Sequence, residues 1–503
     1  MNKKTIILIG FIILKFVLQY ALVSPEYDLQ RDEYLHLDQA HHLAWGYLSV
    51  PPVTSWFSYI ILLLGNSVFW VRFFPALFGG LTILVVWKTI EALKGNLYAL
   101  VLGAFCVLFS ALLRINMLFQ PNSIDVLCWT AFYYIVIQYI LTQKPKWFYI
   151  GAVVFAFGFL NKYNILFLLI GLLPALLVSE QRKILTEKKL YFALVLGVLL
   201  ILPNLIWQYN NHFPIVHHMK ELAETQLVNV DRFDFLKEQL LYFIGSLLVI
   251  LSSFYALLFY KPFEKFRFFF ASLLFTLIVF IYFRAKAYYA IGLYPVYIAF
   301  GSVFLADVLN SGWKRYLKPV FIALPLLFFI PMHQLAFPNK SPEYIVKNKL
   351  GTHIWEDGKE HNLSQDFADM LGWKELARKT DSIYVKFPKS ENTLVLCDNY
   401  GQAGAINYYT KKGIKAVSFN ADYVNWFNLD IKYTNLIRVK TFEENSNEFN
   451  ETSPFFEASS VCPGITNPYA REYKTTIFIF KDAKIDIRKR LEQEIAEEKN
   501  YDK

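Results

Sequence analysis

The chain has 503 residues, 55% of them hydrophobic and 18% aromatic, with a formal net charge of +9. That balance suits a polytopic membrane protein better than a soluble enzyme. The excess of cations does not point to nucleic acid, because Lys and Arg fall mostly in short loops between apolar runs, where they set topology.

The first apolar run, 5–23, is about long enough to span a bilayer. It lacks a small-residue cleavage site after a short core, so it reads as a retained span and not as a signal peptide. Further apolar stretches lie at 67–93, 97–113, 123–142, 147–160, 163–178, 190–208, 239–260, 266–283, 287–309 and 316–333. Together they predict about eleven spans. The piece 53–64 is too short to cross; it reads as an interfacial helix or as the start of the next span.

Charge orders these spans. With Lys3 and Lys4 in the cytoplasm, the other cytoplasmic loops carry Lys88 and Lys94, Lys144 and Lys146, Arg182 to Lys189, Lys261 to Arg267, and Lys314 to Lys318. Every alternate loop is basic, as the positive-inside rule requires. The remaining loops, 24–55, 114–122, 161–163, 209–238 and 284–289, then fall outside, as does the C-terminus.

Composition changes at Pro338. TLVLCD, KAVSF and TTIFIF predict short strands. NYGQAGAINYYTKKG predicts a turn, a helix and a stop near Gly413, and DIRKRLEQEIAEEKN a charged helix or a frayed tail. The expected organisation is a mainly α transmembrane bundle over 1–337, with a first outer loop at 24–55, followed by a small exported α/β domain over 338–503. Cys106 and Cys128 read as core residues. In an exported domain Cys397 and Cys462 either pair or stay free.

The candidate chemistry sits in the outer loops. QRDEYLHLDQAHHLAWGYLSVPP, 30–52, gathers Arg31, Asp32, Glu33, His36, Asp38, His41 and His42 beside a membrane domain. Transfer to a hydroxyl needs a carboxylate that takes the proton as the oxygen attacks, and a phosphate leaving group needs no acid, so one base suffices. A solvated acidic loop, or pairing with Arg31, is the plainer reading of Asp32 and Glu33. Asp125 lies just inside a span, where an ionisable residue is costly and marks function; capping by Asn122, Ser123 or Asp125 is the alternative. Lys162 is a cation on the outer side, suited to a lipid phosphate or to snorkelling. Arg284 and Lys286 repeat the pattern, followed by Tyr288, Tyr289 and Tyr294, which suit sugar stacking or an interfacial aromatic belt. His217, His218, Asp231 and Asp234 follow no metal-ligand spacing, and a solvated loop is the simpler reading.

RDEYLHLDQAHHLAWGYLSVPP resembles the first outer loop of the integral membrane GT-C glycosyltransferases, in the branch of the protein O-mannosyltransferases and the lipid A aminoarabinose transferases. FQPNSIDVLCW, FLNKYNILF, LPNLIWQYNNHFPIVHH and KAYYAIGLYPVYIAFG look like successive landmarks of that superfamily. CDNYGQAGAINYY and TNPYAREY resemble the exported tail of its bacterial members. The resemblance implies an inverting transferase in the bacterial inner membrane, drawing on a polyprenyl (undecaprenyl) phosphate-linked sugar. Its acceptor would be a lipid, an envelope glycan or a protein. By motif, Asp32 would be the catalytic carboxylate, Glu33 its partner and Asp125 the acid of the second outer loop. Lys162 would contact the donor phosphate, with Arg284 and Lys286 in support. His41, His42, Tyr288 and Tyr289 are further substrate-binding candidates. No cofactor is obligatory on this reading, although a divalent cation is compatible with it. Many relatives carry a charged or imidazole group before the two prolines; here the residue is Val50. A transporter or flippase of a lipid-linked substrate is the rival reading. It predicts mid-membrane charges and internal symmetry, and the sequence has neither.

Overall fold

The computed structural model describes residues 2–351, 353–442 and 447–499. The chain forms two compact units. One comprises residues 1–22, 50–54 and 69–337; the other comprises 23–49, 55–68 and 338–503.

The first unit is helical. Its long helices are Lys3–Ala21, Val68–Ala92, Asn122–Thr142 and Lys188–Asn210, joined by the continuous stretches Ala287–Val308 and Gly312–Ala336; these six are long and apolar enough to cross a membrane. Two bent pairs, Tyr163–Leu177 with Glu180–Thr186 and Arg232–Leu241 with Ile244–Phe259, raise the number to eight among the described residues. Leu97–Leu108, Lys146–Asn161 and Phe268–Tyr282 are apolar but shorter. Every one of the eleven predicted stretches thus coincides with helix, although several fall short of a full straight crossing. Asn2 and Asn96 cap two of the helices through their side chains.

Pairs of these helices pack closely where a side chain is missing. A Cβ at Gly301 would collide with the Val249 carbonyl, and one at Gly171 with the Thr276 hydroxyl. Small residues of this kind let apolar helices approach where no hydrophobic drive separates lipid from protein. The helix Lys188–Asn210 turns much of its surface outward, with Phe192, Val195 and Leu199 all exposed, as a lipid-facing helix does.

Two pairs of the basic loops meet. Glu180 and Gln181 line a cleft with Lys265 and Arg267, and the Tyr98 hydroxyl donates to the Lys318 carbonyl at 3.0 Å. The segment 209–238, expected as an outer loop, is more ordered than a solvated loop. It forms the helices Pro214–Thr225 and Arg232–Leu241, the second capped by Asp231, which accepts from the amides of Phe233 and Asp234. His217 and His218 lie on the first of these helices. Among the described residues no three His, Cys, Asp or Glu side chains are placed to hold a metal ion.

The second unit is α/β. A short hairpin, β1 (His353–Ile354) and β2 (Glu360–His361), precedes a five-stranded sheet. The sheet strands are β3 (Thr393–Cys397), β4 (Ala416–Ser418), β5 (Asn435–Lys440), β6 (Phe456–Pro463) and β7 (Thr476–Ala483), in the order β4-β3-β5-β7-β6. β3 runs parallel to β4 and β5; β7 is antiparallel to β5 and β6. The core on one face joins Leu394, Leu396, Phe478 and Phe480 to Ile487 and Leu491 of the helix Ile487–Glu498. The predicted helix is Tyr400–Tyr409, with Asn399 accepting from the amides of Gly401 and Gln402. All four cysteines are free. Cys397 and Cys462 stand on strands with β5 and β7 between them, about 14 Å apart at ordinary strand spacing, too far for a disulfide.

Most of the loop expected to accompany the helical domain, residues 23–49, belongs instead to this second unit, while 50–54 group with the helical one. Backbone bonds hold it there: Ser24 donates to Pro338, Asp28 to Met370 and Arg31 to Asp369.

Candidate active site

In the helical unit the candidates meet at one end. The helix Asn122–Thr142 starts after Pro121, with no side-chain cap, so neither Asn122, Ser123 nor Asp125 plays that part. Asp125 sits in the first turn, where the helix dipole favours an anion. Its buried carboxylate accepts from Trp129 Nε1 at 3.1 Å and from Asn164 Nδ2 at 2.8 Å. Asn164 also donates to the Tyr289 carbonyl at 3.0 Å, tying the turn after helix Lys146–Asn161 to the segment 287–293. A buried carboxylate persists only when it is hydrogen-bonded or paired, and here both oxygens are engaged.

Lys162 follows the end of helix Lys146–Asn161 in extended conformation. Its ammonium donates to Asn122 Oδ1 at 2.8 Å and lies 4.5 Å from the Tyr289 ring centroid and 5.1 Å from that of Tyr288. It also interacts electrostatically with Asp125 and Lys286. Lys286 donates to Gln226 Oε1 at 2.6 Å, and Arg284, with φ of 51°, donates to the Val228 carbonyl at 2.9 Å. Asp125, Lys162, Tyr288, Tyr289 and Lys286 therefore form one cluster, whereas Arg284 is turned to the backbone of the neighbouring segment. Asn164 and Trp129 complete the cluster. An Asn among apolar residues was the available signal for the first; nothing in the sequence distinguished the second from other core tryptophans.

In the second unit the helix Arg31–Asp38 carries the loop acids. Gln30 caps it by accepting from the Asp32 amide at 2.9 Å, and Glu33, fully buried, accepts from the Gln30 amide at 2.7 Å. That is a capping box, so Glu33 holds the helix start. Asp32 Oδ1 accepts from the Tyr400 hydroxyl at 2.7 Å, and the Arg31 guanidinium lies 4.5 Å from the Tyr400 ring centroid. Burial, and then the Asp32 charge, push the Tyr400 phenol well above its ordinary value, so it stays a donor. Nearby, Arg471 pairs with Asp369 at 3.2 Å, and burial pushes the Asp369 carboxyl up to about 7.

The far end of the loop helix is braced too. Asp38 accepts from Asn407 Nδ2 at 2.7 Å and from the Tyr423 hydroxyl at 2.5 Å. Asp422 accepts from Gln39 Nε2 at 3.0 Å and from the Leu48 amide at 2.8 Å. His41 and His42 follow on an exposed turn. The His42 ring stacks on Trp426, centroids 4.3 Å apart and 8° from parallel. Although the residue is exposed, partial desolvation of the imidazole, and then His41 and Lys415, lower it to about 4, so it is neutral at ordinary pH. Tyr400 lies within CDNYGQAGAINYY, but nothing there singled it out, and no sequence signal pointed to Tyr423 or Asp422.

Residues 49–207 match the family model described as dolichyl-phosphate-mannose-protein mannosyltransferase. The fold is similar to that of ArnT from Cupriavidus metallidurans, solved with undecaprenyl phosphate bound. The match has a TM-score of 0.65 and 12% identity, over 95% of this chain and 98% of that one. The apo form of the same protein matches with a TM-score of 0.62 and 12% identity, over 97% and 99%. The archaeal oligosaccharyltransferase AglB from Archaeoglobus fulgidus, in complex with an inhibitory peptide and a dolichol-phosphate, matches with a TM-score of 0.52 and 9% identity, over 86% of this chain and 69% of that one. No curated protein matches the sequence.

Proposed function

We propose that this chain, a multi-pass membrane protein of the ArnT-like/PMT superfamily, is an inverting glycosyltransferase that draws its sugar from a polyprenyl phosphate. The observation that carries the reading is the cluster of Asp125, Lys162 and Lys286 beside two tyrosine rings, at one end of an apolar bundle. Ionisable groups so placed are expensive in a membrane domain and serve a substrate or an ion. A cation among aromatic rings suits a phosphate attached to a sugar.

The chemistry follows from the groups. The acceptor oxygen attacks the anomeric carbon, and the bond to the phosphate oxygen breaks with its electron pair going to phosphate. Asp32 takes the acceptor proton. Lys162 stabilises the charge that develops on the departing phosphate. Asp125, through Asn164 and its own charge, holds the Lys162 segment in place. The relatives with bound undecaprenyl phosphate or dolichol-phosphate support a lipid-linked donor. The alternating basic loops support an outward-facing reaction in a bacterial inner membrane, with the N-terminus cytoplasmic and the C-terminal domain periplasmic. The preferred acceptor is a lipid or an envelope glycan. The description of the family model over 49–207 favours the second reading, a protein hydroxyl.

The test uses full-length protein in nanodiscs with undecaprenyl phosphate carrying a radiolabelled hexose or pentose. Membranes from a strain lacking the gene serve as acceptor. Label should appear in envelope lipid or glycan. Asp32→Asn should express normally and lose transfer by at least a hundredfold, and Lys162→Met should cost tenfold or more through a lost phosphate contact. Full activity of the Asp32 variant would refute its role. Label recovered in protein alone would select the second reading.

A further inference from the structure

The sheet of the second unit has a topological feature that the fold by itself does not explain. β3 sends its connection, the helix Tyr400–Tyr409, to β4 on one side. β5 lies on the other side of β3 and leads away toward β6 and β7. The connections leaving the carboxyl ends of β3 and β5 therefore run in opposite directions, although the strands stay paired through Cys397 and Val439, and in open α/β sheets such a switch point is where a ligand binds. Here the place beside the end of β3 is taken by the chain itself. Tyr400, the first residue of the helix after β3, bonds Asp32, and Arg31 lies against Gly401 so closely that a Cβ there would stand 2.6 Å from Arg31 Cγ.

The contact is built along its length. At Gly404, one turn further, a Cβ would stand 2.7 Å from the Tyr34 Cβ and 2.7 Å from the Tyr423 hydroxyl oxygen. The two glycines sit at i and i+3 on one helix face, and they let the helix Arg31–Asp38 lie directly on it. Asp38, at the other end, accepts from Asn407 of the same helix. Glu472 fixes the helix start from below, accepting from Asn399 Nδ2 at 3.0 Å and Gln402 Nε2 at 2.9 Å. Tyr400 is thus held from its own side, and the acid is brought to it.

We infer that Tyr400 is a positioning residue for the reaction: its hydroxyl, presented by the C-terminal domain at the end of β3, sets the orientation of the Asp32 carboxylate. The exported domain is then a template for the catalytic loop and not only a separate binding module. The inference rests on Asp32 being the base. A base must hold its oxygen within hydrogen-bond reach of the proton it takes, and a neutral phenol that bonds one carboxylate oxygen fixes the rotation of the whole group. The phenol cannot compete for the proton, because its own ionisation is suppressed by burial and by Asp32.

The experiment pairs two variants of the full chain in nanodiscs, assayed with undecaprenyl phosphate-linked radiolabelled hexose and pentose as above. Tyr400→Phe removes one oxygen and keeps the ring under Arg31. Infrared difference spectra, with Asp32→Asn marking the band, follow the Asp32 carboxylate stretch directly. The expected result is that Asp32→Asn is inactive and that Tyr400→Phe lowers kcat about tenfold with donor KM within twofold, the loss of about one net hydrogen bond. The carboxylate band should shift, and the melting temperature should stay close to the parent's. If Asp32→Asn is inactive while Tyr400→Phe keeps both kcat and the band, the positioning role is wrong and the base assignment stands. If Asp32→Asn remains active, the base assignment fails and takes the positioning role with it.

Discussion

Asp38 illustrates how single side chains in the loop were chosen. It is partly buried and accepts from Tyr423 and Asn407. Burial pushes its carboxyl up to about 6, against the pull of those two hydrogen bonds. In the unfolded chain the group titrates near about 4, so the folded state binds the proton more tightly. The stabilisation from this group is complete below about pH 4 and is lost as pH rises through about 6. Asp38→Asn keeps an oxygen for both donors and has no proton to lose. We expect it to melt above the parent at pH 8, with the difference closing as pH falls to about 4. Calorimetry or intrinsic fluorescence on the full chain checks this; equal differences at both pH values would assign Asp38 another role. Asp422, also pushed up to about 6 by burial, has the same sign.

At the scale of elements, the sequence foretold what hydrophobic periodicity and capping control. Helices stand at all eleven apolar stretches, and β3, β4 and β7 stand where β-branched and aromatic runs predicted them. β5 was missed because its pattern is broken by Arg438 and Lys440, which pair with Asp398 at 2.7 Å and 2.9 Å. β6 was missed because it pairs only with β7 and leaves most of its residues outside the core. Individual site residues were legible where an ionisable group interrupts an apolar run, as at Asp125 and Lys162. Contacts between segments some 370 residues apart, such as Asp32 with Tyr400, leave no local trace. Yet GQAG in the helix Tyr400–Tyr409 does carry meaning: its glycines mark where another backbone lies. Gly404→Ala places a methyl against the Tyr34 Cβ, which cannot swing away. Overpacking of this kind costs about 1–3 kcal/mol. The expected outcome is a lower melting temperature together with reduced transfer. A parental melting temperature would mean that the helices separate without cost.

At the scale of the molecule, the two units are interleaved in sequence: residues 23–49 fold with 338–503 although they follow the first apolar helix. The helix Arg31–Asp38 has eight residues, too few to be stable by itself in water, since isolated helices shorter than about 12–15 residues are marginal. Its stability comes from packing. Tyr34 is fully buried, with Trp373 at 5.9 Å and Tyr409 at 5.9 Å between ring centroids, and Leu35 and Leu37 are buried beside it. Each such side chain contributes about 1.5–3 kcal/mol when removed from water. Truncation after Phe337 removes all those partners while leaving Asp32 and the whole helical unit in the chain. The truncated protein should insert in the membrane and retain its helical circular dichroism, but lose the order of 23–49. Trypsin should then cut at Arg31, which in the full chain is held by its backbone bond to Asp369 and by its place over Tyr400. Transfer should be abolished in the same preparation. Mass spectrometry of the tryptic fragments reads the outcome, and an Arg31 bond that stays uncut after truncation would show that the loop is ordered without the C-terminal domain.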